Sequence, residues 1–164
     1  MDKVSRADAS SVAQPRDEHG RSGLTEPLAA MIAASEDDQE LYAAGLSQCG
    51  FRTVCVEPRG VRASISAVAP AVIVLHLGLP ENVGWRICET LLRDPVCAPI
   101  PLIVLTAAIR PDGRNRSKAR GFRNCAAFVA KPCDPQNLAR VIRIGLSGDR
   151  GVEFMSGQLR RLRA

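Results

Sequence analysis

From Pro27 onward, short apolar runs rich in Val, Ile, Leu and Ala alternate with stretches whose apolar residues recur at helical spacing. That alternation predicts a parallel sheet wound with crossover helices. The apolar runs cover 28–34, 52–56, 71–77, 100–106 and 126–130. Each is about a strand long and nearly all apolar, as expected of strands covered on both faces. Between them, 37–48 places Leu41, Gly45, Leu46 and Cys49 on one helical face, 85–93 turns Ile87, Leu91 and Leu92 inward, and 135–146 repeats Leu138, Val141, Ile142 and Gly145. Residues 60–68 and 112–120 fill the other two connections, the second with so little apolar surface that a short, weakly held helix is expected. The predicted domain, 27–146, is therefore α/β with a doubly wound five-stranded parallel sheet. Such sheets bind ligands beyond the carboxyl ends of their strands, where the strand order reverses.

The flanks follow no such period. Residues 1–26 mix Asp, Arg, Ser and Gly and are expected to be a disordered arm. Residues 147–164 carry Gly148, Gly151 and Gly157 and then Gln158-Leu-Arg-Arg-Leu-Arg163, a basic tail expected to be a frayed helix or irregular. The longest apolar run, 67–79, is interrupted by Pro70 and His76 and falls short of the roughly 20 residues of a spanning helix. No apolar segment of a secretory signal stands near the N-terminus, so the expected location is the cytoplasm, away from any membrane.

Composition, with 46% hydrophobic and 24% charged residues, suits one ordinary core. The net charge of +5 is local: Arg110, Arg114, Arg116, Lys118, Arg120 and Arg123 face only Asp112 within 110–123. With one aromatic nearby, Phe122, and no DNA-reading motif, this cluster reads as a partner-facing or solvated helix rather than a nucleic-acid site. Six cysteines, Cys49, Cys55, Cys88, Cys97, Cys125 and Cys133, include no C-x-x-C, and only His19 and His76 could join them at a metal. They read as small hydrophobes in a reducing compartment.

Several motifs resemble one family. Glu40-Leu-Tyr-Ala43 and Gly50-Phe-Arg52, then Val72-Ile-Val-Leu75 leading to Leu79-Pro80, Gly84-Trp85, Ile100-Pro-Leu-Ile-Val-Leu-Thr-Ala107 and Phe128-Val-Ala-Lys-Pro132 are similar to the receiver domain of bacterial two-component response regulators. The resemblance runs across 27–146 and implies a flavodoxin-like (βα)5 fold. It also implies a site in which an Asp ending the third strand takes a phosphoryl group from a sensor kinase and two acids after the first strand hold Mg²⁺. A Thr or Ser after the fourth strand and a Lys after the fifth contact the phosphoryl oxygens, and an aromatic on the fifth strand acts as a switch.

Matched position by position, Thr106 is the hydroxyl, Lys131 the cation and Phe128 the switch aromatic, and the Lys131–Pro132 bond is implied to be cis. The acceptor position holds His76. A gapless count back from Gly50 puts the acidic pair on Ala33 and Ala34, whose methyls cannot ligate a hard cation. Glu36, Asp37 and Asp38 lie just downstream and could replace the pair, but Ser35 followed by Asp38 is also the pattern of a capped helix start. His76 is expected to be a neutral, hydrogen-bonded side chain filling the pocket, neither phosphorylated nor metal-bound. Thr106 and Lys131 also have plain readings, as a strand-end hydroxyl bonded to backbone and a lysine reaching water.

The resemblance therefore implies a stand-alone, degenerate receiver, not an enzyme, with no metal or cofactor, acting through protein–protein contacts. The expected partner is a signalling protein or a second copy, met at the fourth and fifth helix region that includes Arg110 to Arg123. Two alternatives stay open: ligand sensing in the emptied pocket, and a phosphorylated switch rescued by Glu36, Asp37 or Asp38.

Overall fold

Alternation within each all-apolar run sends successive side chains to opposite faces of a sheet, and the computed structural model shows what covers each face. It describes residues 25–33, 35–79, 82–107, 125–150, 152–155 and 158–161. The elements are β1 (Leu28–Ile32), α1 (Glu36–Gln48), β2 (Arg52–Cys55), α2 (Val61–Val68), β3 (Val72–His76), α3 (Val83–Arg93), β4 (Leu102–Thr106), β5 (Ala127–Ala130), α4 (Pro135–Leu146), β6 (Val152–Met155) and β7 (Gln158–Arg161). The helix predicted over 112–120, with the whole basic segment from Arg110 to Arg123, lies outside the described residues, as does the arm up to residue 24.

The sheet order is β2-β1-β3-β4-β5-β6-β7. Strands β1 to β5 are all parallel, the five-stranded sheet that the sequence predicts. The order reverses at β1, which lies between β2 and β3. On one face Met31, Val74, Leu105 and Val129 pack under Tyr42 and Leu46 of α1 and Leu138, Val141 and Ile142 of α4. On the other, Ile32, Ile73, Val104 and Phe128 pack under Val61 and Ile65 of α2 and Ile87, Cys88 and Leu91 of α3. Both faces of β3 and β4 are buried, which is why those runs carry no polar alternation.

Two expectations need correction. The tail forms strands, not a helix or an irregular segment: β6 adds parallel to β5, and β7 folds back antiparallel on β6. Val152 N–H donates to Ala126 O at 3.1 Å and so extends the β5 ladder. The signal was present in Val152-Glu-Phe-Met155 and the two-residue spacer Ser156-Gly157, a hairpin pattern that the arginines following it obscured. The inner face of α1 keeps Gly45, Leu46 and Cys49 as predicted, but Tyr42 takes the place expected of Leu41. Leu41 is 56% exposed, whereas Tyr42 and Leu46 are buried. Adjacent apolar residues leave helix phase ambiguous, and Tyr42 takes the inner position because its hydroxyl reaches a backbone acceptor there: it donates to Cys133 O at 3.1 Å.

Two glycines are required by close approach. A Cβ on Gly84 would meet Leu77 Cα at 2.9 Å, and one on Gly45 would meet Pro135 Cβ at 2.1 Å. All six cysteines are free, and the buried pair Cys88 and Cys125 have their sulfurs 3.7 Å apart, well beyond a bond. Gly45→Ala sets a helix-propensity gain of about 0.5–1 kcal/mol against overpacking at the α1–α4 contact of about 1–3 kcal/mol. Urea unfolding is expected to show a net loss on the order of 1 kcal/mol.

Candidate functional site

The site lies where β1 and β3 end. β3 terminates at His76, which pairs in register with Leu105 of β4 and is 2% exposed. Ala33, directly after β1, is buried beside it in the chain's turn toward α1. β4 ends at buried Thr106, whose carbonyl accepts from Lys131 N at 2.9 Å, so the backbone of Lys131 continues the ladder past the end of β5. Phe128 is fully buried in the core, and the Lys131–Pro132 peptide is cis. Ala34 lies outside the described residues.

The first turn of α1 completes the arrangement. Ser35 caps the helix, its hydroxyl accepting from Asp38 N at 3.4 Å, as the capped-start reading expects. Glu36 and Asp37 face solvent. Asp38 does not: its Oδ2 accepts from Lys131 Nζ at 2.5 Å and stands 3.4 Å from His76 Nδ1. The two readings of the acidic trio thus meet in one residue, which sits in a helix start and also reaches the strand ends. Tyr42, one turn further on, turns the edge of its ring to His76 at 5.5 Å and 71° between planes. Lys131 Nζ lies 6.0 Å from the centre of the same ring. The sequence reading named Asp38 only as one of three interchangeable acids and missed Tyr42; the signal for both was the four-residue spacing 38, 42, 46 along one helix face.

Electrostatics keep His76 neutral. Burial, reinforced by the charge of Lys131, pushes its pKa down to about 4, and the carboxylate of Asp38 offsets only part of this. The hydrogen bond from Lys131 holds Asp38 below the usual carboxylate range in spite of partial burial. That shift favours the neutral imidazole that the sequence leads one to expect. His76 Nδ1 stands 3.4 Å from Asp38 Oδ2, a contact that raises the His76 pKa, and among the described residues neither ring nitrogen makes a well-aligned hydrogen bond. Asp94, the buried acid among the described residues, differs: Val96 N at 2.9 Å, Cys97 N at 3.0 Å and the guanidinium of Arg62 satisfy it.

Mg²⁺, which the resemblance implies, demands oxygen ligands in near-octahedral geometry. Here the strand ends offer the methyl of Ala33 and the imidazole of His76, and the nearest carboxylate, Asp38, already neutralises Lys131. The described residues do not fit the ion.

Because the folded His76 value is the lower one, the unfolded chain takes up the proton first as pH falls. The contribution of the neutral imidazole is complete above about 6.5 and is lost steadily toward pH 4. Urea-unfolding free energies across that window are expected to fall with acid, with a slope of at most about 1.4 kcal/mol per pH unit, and His76→Gln should flatten that slope.

No protein-family profile matches the chain. Among curated proteins, it is 37% identical over 86 residues to the DNA-binding dual master transcriptional regulator RpaA of Synechocystis sp., covering 50% of this chain and 34% of that protein. It is 28% identical over 75 residues to Response regulator Rre1 of the same organism, covering 45% and 31%. The chain thus spans about a third of the length of these relatives. Among solved structures, the signal receiver domain of a signal transduction histidine kinase from Syntrophus aciditrophicus matches with a TM-score of 0.63 and 27% identity, over 74% of this chain and 91% of that one. The chemotaxis response regulator CheY4 of Vibrio cholerae matches in fold, with a TM-score of 0.62 at 17% identity over 74% and 99%.

Proposed function

Since the chain carries a receiver domain of the response-regulator type, we propose that it works as an atypical receiver whose state does not depend on aspartyl phosphorylation. The observation that carries this reading is the Asp38–Lys131 ion pair beside a neutral His76. In a phosphorylated receiver the Lys and a divalent ion neutralise incoming phosphoryl oxygens. Here the lysine is neutralised from within, the acceptor position is His76, and the acidic-pair positions are Ala33 and Ala34. Thr106, Lys131 and Phe128 remain as pocket and switch residues whose arrangement supports a fixed signalling surface rather than turnover. Among the described residues no nucleophile, base and orienting group converge in the manner of an active site, which supports a signalling role over turnover.

Output then comes from contact with another protein. The basic segment carrying Arg110, Arg114, Arg116, Lys118, Arg120 and Arg123 favours an acidic partner face at the fourth and fifth helix region over nucleic acid. No helix among the described residues is long and apolar enough to cross a membrane, which fits a module that meets its partner in the cytoplasm. Association with a partner recovered by pull-down is expected to weaken several-fold as salt rises from low to physiological strength and beyond, measured by surface plasmon resonance; salt-independent affinity would rule out a charge-driven interface.

One observation favours the rescued-switch alternative: Asp38 presents carboxylate oxygens to Lys131 at the site. Incubation with Mg²⁺ and a small acyl-phosphate donor, followed by intact mass, separates the readings. We expect no added phosphate on the parent chain. Phosphate that survives His76→Ala but disappears in Asp38→Asn would show that the acidic trio supports phosphorylation and would overturn the phosphorylation-independent reading.

A further inference from the structure

We propose that β7 is a docking edge for an acidic, extended segment of a partner protein, which adds to the sheet as an outer strand. The proposal rests on the reading that output passes through an acidic partner, and it names a place and a mode of contact for that partner.

The first observation is topology. β7 ends the sheet order, and among the described residues no strand pairs with its outer side. Its inner side is held: β7 pairs with β6 from Gln158 to Arg161, and β6 pairs with β5. In an antiparallel ladder alternate residues turn their N–H and C=O groups to opposite sides, so about two residues of β7 present both groups away from β6. Such an edge is a template for another extended chain. Its base is firm, because Val152, the first residue of β6, is 5% exposed and belongs to the same apolar cluster as Val129 and Ile142. An incoming strand thus meets a hairpin that is already docked, which lowers the cost of ordering.

The second observation is charge, which selects the occupant. Residues 106–164 hold 13 of the 22 Lys and Arg but only 4 of the 17 Asp and Glu. β7 itself carries Arg160 and Arg161 and no acid, with Arg163 just beyond it. In register Arg160 stands opposite Glu153, whereas Arg161 stands opposite Val152, so the hairpin offers an acid to one arginine and not to the other. A short, basic edge keeps like strands from pairing edge to edge. That argues against a second copy: β2, at the other end of the sheet, carries Arg52 and no acid, so either edge of a second copy would bring arginine to arginine. The same charges that reject a like strand favour an acidic one. The occupant is therefore an extended acidic segment held by ladder hydrogen bonds and by charge, with modest affinity because the strand is short.

The test uses the full chain and a dye-labelled probe peptide in which Glu alternates with Val, followed by fluorescence anisotropy at low salt. The Glu–Val peptide is expected to bind, and a version with Lys in place of Glu is not. A version with a central Pro, which cannot complete a ladder, should bind about tenfold more weakly. Arg161→Gln should weaken the Glu–Val peptide several-fold, while Arg160 stays opposite Glu153 and keeps the hairpin register. Hydrogen exchange locates the contact: the peptide is expected to slow exchange at the amides of 158–161. Absence of binding by the Glu–Val peptide overturns the edge proposal, as does equal binding of the central-Pro version. Binding that protects 110–123 and not 158–161 also overturns it, but leaves the acidic-partner reading standing. Protection of 158–161 without peptide, lost on dilution, assigns the edge to a second copy and overturns it as well. Should Arg161→Gln fray the hairpin, seen as faster exchange in the free variant, the central-Pro peptide on the parent chain decides.

Discussion

At the carboxyl end of this sheet Asp38 forms an ion pair with Lys131, and the chemistry of the described site depends on it. Its net energy is small. Both side chains keep some solvent contact, and such pairs contribute on the order of 1 kcal/mol or less. What it does instead is fix charge. It cancels the charge of Lys131 at the strand ends and brings a carboxylate within 3.4 Å of a buried imidazole. That imidazole stays neutral because desolvation outweighs the attraction of Asp38. Without Asp38, Lys131 would face His76 alone.

The placement of Asp38 follows from packing far below the site. Tyr42 and Leu46, at successive four-residue steps after Asp38, anchor the inner face of α1 on the sheet. Gly45 lets α1 lie directly against Pro135 at the start of α4, where Asp134 caps the helix by accepting from Gln136 N at 2.7 Å and Asn137 N at 3.2 Å. The Tyr42 hydroxyl ties α1 to Cys133 O, two residues past Lys131. The segment that supplies the lysine and the helix that supplies the carboxylate are thus locked together by one tyrosine. A shift of α1 along its axis would separate Asp38 from Lys131 before it exposed much apolar surface.

How far the sequence shows this depends on the kind of signal. All five strands were legible, within one or two residues at their ends, because burial on both faces leaves uninterrupted apolar runs such as Val72-Ile-Val-Leu75. The phase of α1 was not, since Leu41 and Tyr42 are neighbours and only the fold decides which of them turns inward. β6 and β7 were missed because the arginines after Ser156-Gly157 masked a hairpin pattern, and only the fold shows that the hairpin docks on the β5 edge. At the site, His76, Thr106, Lys131 and Phe128 were named from motif order. Asp38 was half-read: the spacing to Ser35 announces a helix cap, and nothing in the chain says that the same residue also meets Lys131, 93 positions away.

His76 poses the remaining energetic question. A buried polar group without a hydrogen bond costs about 1–3 kcal/mol, and the edge contact with Tyr42 returns about 0.5–1.5 kcal/mol of that. An apolar side chain of similar volume would keep the packing and avoid the remainder, so the imidazole is not explained by stability at this position. Its neighbours point the same way. Asp94 is equally buried and fully satisfied, which shows that this fold can provide partners where a polar residue serves only structure.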